Sequence, residues 1–303
     1  MNIKFCNFDM DQSVVAPVIY GNNLHQTTNR GIELSQGVRE ELRCFLSGFG
    51  ASASVERTPY YRIDAYFDED TMWILEINAS FVDGWGTALN LARASGIQVD
   101  PNRLIFPEQF ATKAGVYLPE LELFANELNA LGLPKRTICD WPLNGTASKP
   151  TYVYGRVGTK EEPLILPYDG LRLDNKLNLG QFSQTWDGML VRTPKHYMSR
   201  FQPWEEVPKD VVLKFCDKNS PECERARHSV LFGKPSGKAP FIKRCYNAET
   251  LLAQEVIQPA KENDRNCQLI IFAVGDEPVT GYVQYGWGQI INDNSVHGPL
   301  RIG

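Results

Sequence analysis

Apolar positions recur along this chain with two different periods. Within residues 35–47 (SQGVREELRCFLS), Val38, Leu42, Phe45 and Leu46 fall on one stripe, which predicts an amphipathic helix. Residues 59–67 (PYYRIDAYF) alternate instead, with the period of a strand. Asp68-Glu69-Asp70 supplies turn residues, and Met72 to Asn78 reads as a second strand, so the pair predicts an antiparallel hairpin. Thr87 to Ser95 reads as a helix stopped by Gly96. Between 119 and 131, Leu121, Phe124, Ala125, Leu128 and Leu131 return at helical spacing, and Gly132 ends that helix. Strand-like pieces follow at 136–139 and 151–157. Val211-Val-Leu-Lys214 is an apolar strand, followed by a Gly/Lys loop lying between two strands. Residues 268–274 and 281–285 alternate around the turn Gly275-Asp-Glu-Pro278. Strands and helices mix without strict βαβ alternation, which predicts an α+β design.

Bulk composition narrows the function classes without choosing one. A chain of 303 residues can bury a large core and is expected to hold two or three lobes. Its 43% hydrophobic and 22% charged residues are ordinary for a soluble globular protein. A net charge of −5 argues against a nucleic-acid surface. No apolar run reaches membrane-span length, and Met-Asn-Ile-Lys-Phe-Cys lacks the features of a signal peptide. The expected location is the cytoplasm, with no membrane partner. Seven scattered cysteines, with no close CxxC pair, fit reduced thiols better than disulfides or zinc. The four histidines, at 25, 196, 228 and 297, are not spaced as metal pairs.

The hairpin carries the candidate chemistry. Alternation puts Arg62, Asp64 and Tyr66 on one face of its first strand. On the second strand Glu76 and Asn78 share a face, and Trp73, Leu75 and Ile77 the other. Pairing around the 68–70 turn would bring Asp64 near Glu76. Two carboxylates and a carboxamide would then converge through oxygen alone, which suits a hard cation such as Mg²⁺. An exposed, merely charged hairpin face would show the same spacing. The apolar run Trp-Ile-Leu-Glu-Ile-Asn argues for burial of Glu76, and buried carboxylates are paired or metal-bound.

RIDAYF-DED-TMWILEINASF resembles the metal-binding hairpin of the ATP-grasp superfamily. The resemblance assigns Asp64, Glu76 and Asn78 as ligands of Mg²⁺ (or Mn²⁺) bridging ATP phosphates. Val211-Val-Leu-Lys214 resembles the strand whose lysine contacts those phosphates. Leu231-Phe-Gly-Lys-Pro-Ser-Gly-Lys238 resembles the glycine-rich flap, implicating Gly233, Lys234, Ser236, Gly237 and Lys238. Ala253-Gln-Glu-Val-Ile257 resembles the hinge at the adenine edge, implicating Gln254, Glu255, Val256 and Ile257. In the family the metal hairpin follows the ATP lobe, whereas here it comes first. The resemblance therefore implies a circularly permuted ATP-grasp fold with a pre-ATP-grasp α/β domain. Its parts would be residues 1–105 (first part of the catalytic core), 106–208 (pre-ATP-grasp-like domain), 209–260 (ATP lobe) and 261–303 (remainder of the core).

The function so implied is an ATP-dependent carboxylate–amine, or carboxylate–thiol, ligase working through an acyl phosphate. ATP would be co-substrate, and a small-molecule or peptide carboxylate and an amine the other partners. Family members often place an arginine on the strands after the hinge, where this chain carries Gln268 and Gln284. Arg62, Arg301 and Arg30 are the candidates to supply that charge. The rivals are a kinase on the same fold and a degenerate nucleotide-binding module. No nucleophile-elbow or Cys/His signature supports a covalent enzyme.

Overall fold

The computed structural model of the chain describes residues 1–20, 23–80, 82–112, 114–141, 149–154, 164–226, 229–235, 239–288, 291 and 295–303. Among these, the largest element is a nine-stranded sheet. Its strands run in the order Ile3–Asn7, Arg30–Leu34, Val296–Ile302, Glu277–Gly286, Arg265–Val274, Tyr60–Phe67, Met72–Asn78 and Val191–Arg192, with Lys261–Glu262 paired to Arg265–Val274. The two ends of the sequence thus share one sheet. Arg30–Leu34 pairs parallel with Val296–Ile302, and Tyr60–Phe67 pairs antiparallel with Arg265–Val274.

Alternation sorts the side chains of these strands onto two faces. Ile63, Ala65, Leu269, Ile271 and Val283 face the helix Gln36–Ser52, which buries Val38, Leu42, Phe45, Leu46 and Phe49 against them. This is the stripe that the spacing predicts. Ser35 caps the helix, its Oγ accepting from the Val38 N–H at 3.4 Å. Each large apolar side chain fully buried here contributes roughly 1.5–3 kcal/mol. The opposite face presents Tyr60, Ile270, Phe272 and Tyr282 to the helix Trp85–Ala94. Trp85 stacks on Phe124 of the helix Leu118–Ala130, with ring centroids 5.8 Å apart. At Gly86 these helices come so close that a Cβ would lie 2.6 Å from Phe124 N.

The hairpin forms at Tyr60–Phe67 and Met72–Asn78 with one irregularity. Arg62 pairs with Asn78, Ile63 with Ile77 and Asp64 with Glu76, but Ala65 pairs with Ile74. Leu75 is the extra residue of a β-bulge. The expectation that Trp73, Leu75 and Ile77 share one face is corrected by it. Ile74 and Ile77 both enter the core beneath Gln36–Ser52, while Leu75 and Glu76 both border a cleft.

Two four-stranded sheets complete the described fold. One is parallel, in the order Ile165–Leu166, Thr151–Tyr154, Gln109–Thr112, Thr137–Asp140. Helix Leu118–Ala130 is the crossover that a parallel pair needs between Gln109–Thr112 and Thr137–Asp140. The other is antiparallel, in the order His196–Tyr197, Leu251–Glu255, Val211–Phe215, Val230–Phe232. Helix Ala239–Asn247 closes its core through Ile242 and Tyr246. The architecture is mixed α and β with several sheets. No described helix is long and apolar enough to cross a membrane.

Candidate functional site

A cleft of about 190 Å³ opens between the hairpin and the antiparallel sheet. Asp64, Tyr66, Leu75 and Glu76 line it from the hairpin, and Gln268 from the adjoining strand. Val212, Lys214, Val230 and Phe232 line it from the other side, and the segment Gln254, Glu255, Val256 and Ile257 closes one end. The walls pair apolar surface with a small number of charged groups, the usual composition of a ligand site.

Glu76 is the centre of charge. Lys218 Nζ lies 2.6 Å and Lys176 Nζ 2.9 Å from its Oε1, and Lys214 Nζ lies 4.0 Å from its Oε2. Burial alone would raise its pKa. The three ammonium groups outweigh that and hold the carboxyl well below the usual carboxylate range. Asp64, facing it across the hairpin, behaves oppositely. Burial pushes its pKa up, and the Arg62 guanidinium, with Nε at 3.0 Å, only partly offsets this. Arg62 is shared, because its Nη1 also donates to Asp83. Asp64 accepts further from Asn78 Nδ2 and Gln268 Nε2, both at 3.3 Å.

Local structure explains how the lysines arrive. Asn175 caps the helix Lys176–Phe182, accepting from the Leu177 N–H at 3.0 Å, so Lys176 starts that helix. Asp174 ties this turn to the end of the hairpin, accepting from Ala79 N at 3.2 Å and Ser80 Oγ at 2.8 Å. Lys214 is the fourth residue of its strand and is buried, which pushes its pKa down to about 8. Its Nζ donates to the Leu75 carbonyl at 2.7 Å. Gln254 Nε2 donates to the same carbonyl at 3.1 Å and lies 3.0 Å from His196 Nε2. His196 Nδ1 lies 2.9 Å from Ser183 Oγ. Burial, and then Lys214, push the His196 pKa down to about 3, so this ring is a neutral strut.

The structure gathers Asp64, Glu76, Asn78, Arg62, Lys214 and 254–257 around one site, although up to 195 positions separate them in sequence. Other sequence candidates lie elsewhere. Arg30 pairs with Glu262 at 2.6 Å, and Arg301 lies 3.7 Å from Glu33 and over the Phe8 ring. Neither borders the cleft, because their strands, Arg30–Leu34 and Val296–Ile302, lie on the far side of the Glu277–Gly286 and Arg265–Val274 strands from the hairpin. Lys234 turns its Nζ onto the Trp204 carbonyl at 2.6 Å and over that ring, and Gly233 donates its N–H to the Val211 carbonyl at 2.8 Å. Ser236, Gly237 and Lys238 lie outside the described residues. Sequence reasoning missed Lys176, Lys218 and Asp83. The capping Asn175 before Lys176 was the one local signal available for the first.

The donor set fits a hard divalent cation in kind. It consists of two carboxylates and one carboxamide oxygen, but Lys176 and Lys218 both sit on Glu76 Oε1 and Asn78 Oδ1, and among the described residues no group of three or more His, Cys, Asp and Glu could hold a metal ion. No family model matches the chain, and no curated protein matches it. Solved structures do match. One is a candidate gamma-glutamylcysteine synthetase from Methylobacillus flagellatus KT, 10% identical, covering 86% of this chain and 83% of that one with a TM-score of 0.47. A likeness this distant assigns neither a residue nor an activity.

Proposed function

We propose that the chain is an ATP-dependent ligase of the permuted ATP-grasp type, activating a carboxylate as an acyl phosphate for attack by an amine or thiol. The observation that carries this reading is the composition of the cleft between the hairpin and the antiparallel sheet. Hairpin carboxylates, a strand lysine and an irregular segment after a strand meet there from distant parts of the sequence. Backbone groups of 254–257 would meet the base of ATP. Lys214, Lys176 and Lys218 would meet its phosphates as compact point charges. Asp64, Glu76 and Asn78 would hold Mg²⁺, whose contribution when bound is to neutralise phosphate charge. The protein's own part is then positioning and electrostatics, which is most of what phosphoryl transfer needs.

One observation favours a second reading, a nucleotide-binding module without turnover. Gln268 spends its amide on Asp64, and Arg62 is held between Asp64 and Asp83, so no described arginine is directed at the cleft. Calorimetry with Mg-ATP on the parent and on Glu76→Ala tests the nucleotide site. Loss of most Mg-dependent affinity in the variant is expected, and equal binding would sink the reading. Trapping with hydroxylamine then separates the chemistries. A hydroxamate supports the ligase, a stable phosphorylated product points to a kinase, and neither points to the module.

A further inference from the structure

We propose that a groove at the Met72–Asn78 end of the large sheet binds a free α-amino acid with a large apolar side chain, holding it at both of its charges. The groove encloses about 430 Å³ and shares only Glu255 with the cleft, so it is a second site whatever chemistry the cleft performs.

The charge pattern selects the ligand. Asp187, Arg192, Lys195 and Glu255 are the charged residues of the lining, two of each sign, and all four are exposed. Arg192 lies over the Trp73 ring at 5.8 Å and Lys195 over the Tyr197 ring at 5.1 Å, and among the described residues neither has a carboxylate partner. Asp187 likewise has no cationic partner among them. Glu255 gives one carboxylate oxygen to the Lys195 N–H at 3.2 Å. The floor adds no charge, because His196, 2.9 Å from Ser183 Oγ, is a neutral strut. A plain anion here would meet two carboxylates, and a plain cation two cationic side chains. A ligand with one charge of each sign finds partners for both. Its α-carboxylate would lie on Arg192 and Lys195, and its α-ammonium on Asp187 and Glu255.

The frame of the groove is fixed before any ligand arrives. Trp73 and Trp186 supply apolar surface for a side chain. Trp186 Nε1 donates to the Val191 carbonyl at 2.7 Å, and Glu41 Oε1, from the helix Gln36–Ser52, accepts from the Leu190 and Val191 N–H groups at 2.8 and 2.9 Å. These bonds hold the turn that carries Asp187. Arg192 sits on a strand paired with Met72 and Trp73. Binding therefore has little backbone to order, and the volume is in the range of small-molecule sites.

The test is calorimetry on the full chain without nucleotide. The probes are L-phenylalanine and two analogues that each lack one charge, N-acetyl-L-phenylalanine and L-phenylalaninamide. L-phenylalanine is expected to bind with a Kd on the order of 10⁻⁴ M, and about tenfold or more tighter than either analogue, since each analogue loses a charge-assisted contact. Arg192→Gln is expected to weaken L-phenylalanine about tenfold and to leave L-phenylalaninamide unchanged, because that analogue has no carboxylate to lose. Asp187→Asn is expected to weaken L-phenylalanine by about as much and to leave N-acetyl-L-phenylalanine unchanged. L-phenylalanine that binds no tighter than about 10 mM overturns the proposal. So do analogues that match it within about twofold, which would show that its charges are not read. Both outcomes need the parent protein alone. Binding that neither variant moves places the ligand elsewhere and overturns the assignment to this groove.

Discussion

The ammonium of Lys214 donates to the carbonyl of Leu75 at 2.7 Å, joining the antiparallel sheet to the hairpin across 139 positions of sequence. That carbonyl is available because Leu75 is the bulged residue, with no partner in the ladder. Gln254 reaches the same atom from the next strand of the antiparallel sheet. One irregular peptide thus serves as the anchor for two groups that border the cleft.

Lys214→Met should therefore separate binding from folding. Removing a buried ammonium relieves its desolvation while losing one charge-assisted hydrogen bond, so stability should change by about 1 kcal/mol or less. ATP affinity should fall by roughly 10- to 100-fold, because a phosphate contact in a partly buried site is lost. Urea unfolding and calorimetry on the same preparation check both. Nucleotide affinity within twofold of the parent would remove Lys214 from the site.

Glu76→Ala should behave differently, because Glu76 is what reconciles three lysines. Without it, Lys176 and Lys218 lose their close shared counter-charge and keep only the more distant Asp174 between them. Breaking a buried ion pair from one side typically costs about 3–5 kcal/mol, and here Lys218 can turn toward water, so about 3 kcal/mol is expected. The loss should shrink as salt screens the remaining lysines. Urea midpoints at low and high salt measure this. A variant as stable as the parent at low salt would contradict the charge assignment.

What the sequence revealed follows from how local each feature is. The stripe of Val38, Leu42, Phe45 and Leu46 and the alternation of 59–67 are properties of neighbouring residues, and both elements formed where those patterns lay. The facing of Asp64 and Glu76 followed from the short turn between their strands. The bulge was not legible, since one extra residue leaves the apolar run unchanged while turning Leu75 toward the cleft. Lys218 was equally hidden. A lysine in a polar turn looks solvated until the fold sets a carboxylate against it. Lys234 shows the reverse, as a Gly/Lys segment that read as phosphate-binding but whose lysine packs on Trp204. Gln109–Thr112 passed unread because its four residues are too few for a period to show.

Gly86→Ala should test the contact between the helices Trp85–Ala94 and Leu118–Ala130. The added Cβ would meet backbone atoms, Phe124 N at 2.6 Å and the Glu120 carbonyl at 2.8 Å, which cannot rotate away. Overpacking of this kind costs about 1–3 kcal/mol, more than Ala returns in helix propensity. Gly115→Ala is the control, because among the described residues, its chain neighbours aside, no atom lies within 4 Å of its Cβ position. Chemical unfolding of both variants decides the matter. Equal midpoints would mean that the helices can separate freely.

Glu120 gives a prediction in pH. It is fully buried, its Oε1 accepts from the Thr87 N–H at 3.1 Å, and burial pushes its pKa up to about 7 from an ordinary 4.5. A carboxyl whose folded pKa is raised holds its proton in the native state after the unfolded chain has released it. Stability from this group is therefore full below about pH 4.5, falls as pH rises from there to about 7, and is flat above. The loss integrates to about 3 kcal/mol. Glu120→Gln keeps an oxygen for the Thr87 N–H and has no proton to release. The variant should match the parent near pH 4.5, lack the decline between pH 4.5 and 7, and exceed the parent's stability at pH 8. Urea unfolding in a pH series on both proteins reads the difference directly. Parallel curves for the two would show that Glu120 is ionised in the folded protein, with its charge met by the start of the helix Trp85–Ala94.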